Sequence, residues 1–276
     1  ALLGSAARAQ DLAARFGGEE LALVLPGTSR ATASAIAESI RRAIAGRTAG
    51  NLGHLAAVLA AHPALELVPP EGGWAAVCTE YCSISPESDE KPYTSARLWD
   101  DEDMRALSLM ASAAHEHGAL AGVELWHGGL FAEQRESRLP PLAPSQIASD
   151  WDGVTVPKVM ELADIRRVQA EWVAAARRAR TAGFDILYVY GSHTYLPTQF
   201  LSRHANTRAD EYGGSFENRF RFLREVMEAM REGFGPDGAI GCRLTDESTS
   251  DVGSDPEDVL AAAEAAGDGL ADYVSV

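Results

Sequence analysis

From about residue 70 onward, short apolar runs alternate with longer stretches whose apolar positions recur every three or four residues. The runs Trp74–Ile84, Leu120–Leu125, Ile186–Tyr190, Ile240–Leu244 and Tyr273–Val276 predict strands. Helices are predicted between them. One opens at Asp100 with Asp101, Glu102 and Asp103 in its first turn, and ends with His115 and His117 before Gly118, so charges oppose the helix dipole at both ends. A second runs to Gly183 with Ile165, Val168, Trp172 and Ala176 on one face. A third starts near Ser215 and buries Phe216, Phe220, Leu223, Val226 and Met230. A fourth takes Asp255 as N-cap and Pro256 at its first position, and stops at Gly267. Earlier in the chain, Asp11–Leu25 predicts strand, tight turn at Gly17-Gly18, strand. A helix capped by Thr28 or Ser29 follows, with Ala33, Ile36, Ala37, Ile40 and Ile44 at helical spacing. A short Ala-rich helix is expected over His54–His62.

Strand–helix alternation of this kind predicts a parallel sheet, either doubly wound or a (β/α)8 barrel. Polar and aromatic residues stand directly at or after the strand ends: Glu80, Tyr81, Glu124, Tyr190, His193 and Arg243. Chemistry at the C-terminal ends of several separate strands is the barrel arrangement. No G-x-G-x-x-G follows a strand, which weakens the dinucleotide-binding alternative.

Composition narrows the function. The 276 residues are 46% hydrophobic and 23% charged, enough apolar material for a sizeable core. A formal charge of −16 repels phosphate backbones and anionic lipid, so neither nucleic acid nor membrane is an expected partner. No apolar run reaches the roughly 18 residues of a membrane span, and no basic leader precedes the first elements. The cysteines are Cys78, Cys82 and Cys242, an odd and small number that predicts reduced thiols and a cytoplasmic setting. The Cys78–Cys82 spacing predicts no metal site.

The first fifty residues carry their own pattern. Arg8 and Asp11, then "GGEEL" at Gly17–Leu21 and "ALVLPGT" after it, resemble the end of a diguanylate cyclase (GGDEF) domain. The resemblance implies that the glycine turn approaches GTP, that Glu19 is a metal ligand, and that Arg8 and Asp11 form a product-inhibition site. Leu21 replaces the usual Phe. The match covers about residues 1–48, without the half of that family that bears the first metal-binding Asp, so a cyclase remnant is expected. Phosphoryl transfer depends on metals and positioning, and half a site should give almost no rate.

Over residues 70–276, "EGGWAAVCTEYCSISPES", "GALAGVELWHGG", "GFDILYVYGSHTYLPTQFLS" and "NTRADEYGGSFENRFRF" resemble the Old Yellow Enzyme-type FMN oxidoreductases, and within them the trimethylamine and dimethylamine dehydrogenases. The resemblance implies FMN and a barrel. It puts Glu124 at the pyrimidine edge of the flavin, where an acceptor meets N3–H. It puts Arg243 beside flavin N1 and the C2 carbonyl, where a cation stabilises the reduced ring. Taken without the resemblance, each reads more readily as a salt bridge at a strand end; the resemblance favours the flavin. Tyr190 and His193 match the amine dehydrogenases' Tyr-x-x-His, whose side chains lie beside the substrate, in place of the His-x-x-His or His-x-x-Asn with which ene-reductases grip a carbonyl. Tyr81 matches an aromatic bowl around a methylated ammonium, next to the flavin, where a cation–π contact suits an amine. Tyr195 is a neighbour of that bowl or a core residue.

The expected organisation is a GGDEF-like fragment over 1–48, a linker or helix over 49–69, and an incomplete barrel of about five strand–helix units over 70–276, against the eight strands of a full barrel. The first strand, with the cysteine that attaches FMN covalently in the amine dehydrogenases, and strands seven and eight are not matched. The expected activity is oxidation of a C–N bond with hydride transfer to FMN, on a small-molecule substrate such as a methylated amine. The alternatives are an ene-reductase or NAD(P)H:flavin oxidoreductase on the same barrel, a nucleotide-signalling protein, and a non-catalytic fusion fragment. Self-association into a homo-oligomer is left open.

Overall fold

The computed structural model describes residues 12–17, 20–24, 76–88, 96–132, 138–147, 156–247 and 250–275. The predicted helices after Thr28 and over His54–His62, and the turn residues Gly18 and Glu19, lie outside them. The chain divides into two compact units: Ala1–Cys78 with Ala113–Leu120, and Thr79–Ser112 with Ala121–Val276.

In the first unit, β1 (Leu12–Gly17) and β2 (Glu20–Val24) form the expected antiparallel hairpin, with Leu12 opposite Val24 and Gly17 opposite Glu20. The register is irregular between Arg15 and Gly17, the residues that enter the turn.

The second unit holds the strand–helix repeats. Its elements, three of which have an end in the first unit, are β3 (Ala76–Ser83, there up to Cys78), α1 (Met104–Glu116, there from Ala113), β4 (Leu120–Trp126, there at Leu120), the short β5 (Leu142–Ala143) and β6 (Lys158–Val159), α2 (Leu162–Ala182), β7 (Ile186–Gly191), α3 (Leu196–Leu201), α4 (Phe216–Phe234), β8 (Ala239–Leu244), α5 (Pro256–Gly267) and β9 (Tyr273–Ser275). The sheet order is β3-β4-β7-β8-β9, and the β4–β7, β7–β8 and β8–β9 pairs are all parallel. This is the predicted arc of a (β/α)8 barrel. Every residue of β7 is buried, as expected for a parallel strand covered on both faces.

Side chains alternate across such strands. Val123, Leu125, Leu187, Val189, Ile240 and Cys242 fall on one set of positions and are fully buried, together with Ile165, Val168, Trp172 and Ala176 of α2 and Leu223, Val226 and Met230 of α4. The alternate set carries Glu124, Trp126, Tyr188, Tyr190 and Arg243, which is the polar and aromatic set. α4 packs on α2 closely enough that a Cβ at Gly233 would stand 2.4 Å from the Val173 carbonyl oxygen, so only glycine fits there.

Two sequence expectations need correction. α1 begins at Met104, so Asp101, Glu102 and Asp103 precede its first turn. Their carboxylates have other work: Asp103 accepts from the Arg97 backbone N–H at 3.0 Å, Glu102 pairs with the Arg97 guanidinium, and Asp101 pairs with Arg178 at 2.9 Å. Phe216 is half-buried, because it opens α4 before the helix reaches the core, and the stripe is completed by Phe222 and Met227. The Asp255 N-cap is as expected in position, but its carboxylate faces Arg203 and His204 and makes no capping bond. α3, β5 and β6 have no counterpart in the sequence reading.

Candidate active site

The site is built at the C-terminal ends of β4, β7 and β8. The register places Glu124 opposite Tyr188 and Tyr190 opposite Arg243, so alternate positions on three adjacent strands bring Glu124, Tyr190 and Arg243 to one face. Arg243 Nη1 stands 3.3 Å from Glu124 Oε1, with side-chain exposures of 11% and 4%. The same guanidinium lies 4.7 Å from the centre of the Tyr190 ring. Arg243 therefore links the carboxylate to the aromatic group through two different interactions.

Past the end of β7 the chain turns sharply. His193 and Thr194 both adopt left-handed backbone with φ of 54°. This returns the His193 ring toward the strand it has just left. Its Nδ1 sits 2.8 Å from Tyr190 Oη, a hydrogen bond whose direction depends on the tautomer. Tyr190 is buried and His193 exposed, so the pair joins the interior of the site to its rim.

Aromatic rings surround this pair. Trp126, Tyr190 and Tyr195 form one buried cluster against which Tyr81 and Phe131 pack. Trp126 meets Tyr81 at 4.7 Å and, edge-on, Tyr195 at 5.2 Å. Tyr190 meets Tyr195 at 5.2 Å and stacks on Tyr81 at 6.1 Å. All six residues expected at the site are thus brought together: Tyr81, Glu124, Tyr190, His193, Tyr195 and Arg243. Tyr195, read as bowl or core, is buried and is both part of the ring cluster and the N-cap of α3.

Residues not singled out in the sequence also belong here. Trp126 ends β4 and supplies the cluster's central ring. His127 is fully buried, and burial, helped by the charge of Arg167, holds its imidazole down at about 3, so it is neutral. Its Nδ1 accepts from the Gly129 backbone N–H at 3.1 Å, which leaves the proton on Nε2. Trp126 Nε1, His127 Nε2 and Ser192 Oγ are buried with no hydrogen-bond partner among the described residues. Buried polar groups without partners are uncommon, and three at neighbouring strand ends mark a place where a polar ligand completes the bonding. Their signal in the sequence was position alone, directly at or after a strand end.

FMN is tested against these groups. A planar ring with carbonyl oxygens and ring nitrogens meets a carboxylate acceptor, a guanidinium and unpartnered N–H and O–H donors. The donor set fits. Cys82 and Cys242 are buried, and burial pushes both thiols up to about 12, so neither is a ready nucleophile. Among the described residues no group of three His, Cys, Asp or Glu side chains could hold a metal ion, and no helix is long and apolar enough to cross a membrane.

The long "NTRADEYGGSFENRF" segment is scaffold. Asn206 Nδ2 donates to the Phe200 and Tyr212 carbonyls, each at 2.7 Å. Arg208 donates to the carbonyls of Pro144 at 3.0 Å and Met160 at 2.5 Å. Arg219 donates to the Leu201 carbonyl and to both carboxylate oxygens of Asp258, at 2.8 and 3.2 Å. These bonds fix α3, and with it the turn at His193, to α4 and α5.

The chain is similar to several known proteins. The dimethylamine dehydrogenase of Hyphomicrobium sp. (strain x) is 43% identical over 187 residues, which are 66% of this chain and 25% of that protein. The NADPH dehydrogenase of Geobacillus thermodenitrificans (strain NG80-2) is 41% identical over 150 residues, 54% of this chain and 42% of that protein. The chain thus spans a quarter to two fifths of the length of these relatives. Among solved structures, histamine dehydrogenase from Rhizobium sp. 4-9 superposes with a TM-score of 0.71 at 35% identity, over 76% of this chain and 31% of that one. The old yellow enzyme homologue from Zymomonas mobilis gives 0.68 at 29% identity, over 76% of this chain and 61% of that one. The diguanylate cyclase GGDEF profile matches residues 1–52. The profile that matches residues 69–275, three quarters of the sequence and every residue of the site, is the NADH:flavin oxidoreductase / NADH oxidase family, and the chain belongs to that family.

Proposed function

We propose that residues 70–276 form the flavin-binding part of an amine-oxidising enzyme, joined through a linker at 49–69 to a GGDEF-like segment at 1–48. FMN is the cofactor of the family. The observation that carries the reading is the Tyr190–His193 pair, bonded at 2.8 Å and walled by the rings of Tyr81, Trp126 and Tyr195. FMN, when bound, supplies acceptance of a hydride equivalent from the carbon next to the amine nitrogen. Glu124 and Arg243 would hold its pyrimidine end, with Tyr81 close by. The aromatic faces favour a cationic methylated amine by cation–π attraction and exclude water from it. An ammonium has no lone pair to assist loss of hydride, so it must first give up a proton. Tyr190 and His193 stand ready to take that proton and pass it along their hydrogen bond toward the exposed imidazole.

A second reading is favoured by the NADPH dehydrogenase relatives: the same barrel reduced by a nicotinamide cofactor. Anaerobic mixing of the FMN-loaded protein with dimethylamine or with NADPH separates the two by bleaching of the flavin. The amine is expected to bleach it. His193→Gln and Tyr190→Phe are expected to slow that step by about 10²–10⁴-fold with FMN retained. Bleaching by NADPH and not by amine would favour the second reading. An unchanged single-turnover rate in both variants would remove the pair from the chemistry.

A further inference from the structure

Two left-handed non-glycine residues in succession are a costly backbone, of the order of 1–2 kcal/mol each. Such a turn persists only when its surroundings hold it. Here the holding groups are visible, and they come from beyond the turn itself. The Thr194 backbone N–H donates to Glu247 Oε2, just past β8. The Thr194 carbonyl accepts from Gln199 Nε2 at 2.6 Å. Gln199 is fully buried, and its Oε1 in turn accepts from the Leu130 N–H at 3.1 Å, so it also fixes the segment after β4. Thr245 Oγ1 donates to the second Glu247 oxygen at 2.9 Å, which orients the carboxylate.

We propose that Glu247 and Gln199 are positioning residues that clamp Thr194 from both sides, and that the charge state of Glu247 governs how firmly the His193 imidazole is held against Tyr190. The proposal rests on the reading of Tyr190 and His193 as the proton-handling pair. Gln199 is a fixed clamp. Glu247 is an adjustable one, because an ionised carboxylate accepts an N–H bond more strongly than a neutral acid does. Burial pushes the Glu247 carboxyl up to about 7, a shift that the bonds from Thr245 and Thr194 oppose; Asp246 adds to it and Arg243 opposes it. The clamp therefore tightens as pH rises through neutrality.

The Thr194 amide proton reports this bond directly. In the 15N-labelled 276-residue chain, its resonance should move downfield with a midpoint near pH 7. Glu247→Gln should abolish the movement, and His193→Gln should leave it in place, which separates the carboxylate from the nearby imidazole. In Glu247→Ala, exchange of the Thr194 amide should accelerate by about ten- to hundredfold, the loss of one hydrogen bond to a charged group. A Thr194 amide that is flat between pH 5 and 9, or whose titration survives Glu247→Gln or vanishes with His193→Gln, overturns the proposal. No flavin and no amine enter this measurement, so its failure is distinct from a failure of the amine-oxidation reading.

Discussion

Replacing Arg243 with methionine separates its two duties. The side chain is largely buried and its partner Glu124 more so, at 11% and 4% exposure. Methionine keeps much of the apolar stem and removes the guanidinium. Glu124 is then a buried carboxylate without its cation, a situation that typically costs about 3–5 kcal/mol. The 3.3 Å separation is longer than the usual ~2.8 Å of a charge-assisted bond, which points to the lower end, about 3 kcal/mol. Loss of the guanidinium from the Tyr190 face adds about 0.5–1 kcal/mol. Glu124→Gln in the same background removes the stranded charge and keeps its volume, so the double variant should recover about 1–3 kcal/mol of the loss. Urea unfolding at pH 7, followed by tryptophan fluorescence, measures all three proteins. Repeating it with saturating FMN adds the second duty: the flavin should raise the midpoint of the parent protein and raise that of Arg243→Met less. An Arg243→Met loss within about 0.5 kcal/mol of zero, or a double variant that is merely additive, would refute the coupling. An equal FMN-induced rise in both proteins would remove Arg243 from the cofactor's surroundings.

Two further outcomes are expected. Arg219 and Asp258 are each 5% exposed and joined by two hydrogen bonds, so Arg219→Met should destabilise by about 3–5 kcal/mol. Burial alone would raise the Asp258 carboxyl, but the bonds and charges of Arg219 and Arg203 hold it below its ordinary value. A depressed carboxyl stabilises the fold above its unfolded value and loses that contribution as pH falls through its folded one. Unfolding free energies measured from pH 6 down to pH 2 should therefore show a smaller acid loss in Arg219→Met, and an unchanged acid limb would contradict the assignment. Any FMN carried by this chain should be released completely by acid precipitation, because the cysteine that attaches FMN in the amine dehydrogenases is not matched here and burial pushes the Cys82 and Cys242 thiols up to about 12. Yellow colour that stays with the pellet would show a covalent bond.

The repeating fold was legible because buried parallel strands and amphipathic helices each impose a period on the sequence. β4, β7, β8 and β9 start and end within one residue of their predicted limits, and the Gly183 and Gly267 stops of α2 and α5 are where the sequence put them. The start of α1 was misjudged because acidic residues fit a first turn and a preceding loop equally well. What decided between them was Arg97, which lies just before these acidic residues in the preceding loop and draws Glu102 and Asp103 toward itself. The six site residues were legible only with the family motif in hand, since a strand-end Glu or Arg alone reads as an ion pair, and the two do form one. Gln199 and Glu247 were not legible at all. Their role is to bond a backbone in left-handed conformation, and neither the conformation nor the bonds leave a mark on residue type at His193 or Thr194.

The site's geometry also bears on why Tyr, rather than a second His, suits position 190. A carbonyl-gripping site needs two donors aimed outward at one oxygen. Here one donor is turned inward, because the Tyr190 hydroxyl and His193 Nδ1 bond to each other. The buried ring of Tyr190 meanwhile offers its face to Arg243, which is itself tied to Glu124. A neutral imidazole in place of the phenol would present a poorer π face to the guanidinium and a second titratable group beside His193. Tyr190 thus connects the charged pair expected at the flavin with the exposed His193 imidazole at the rim. The clamp on Thr194 keeps that imidazole within reach. Bond, cation–π contact and clamp together form one chain of contacts from Glu124 to Glu247.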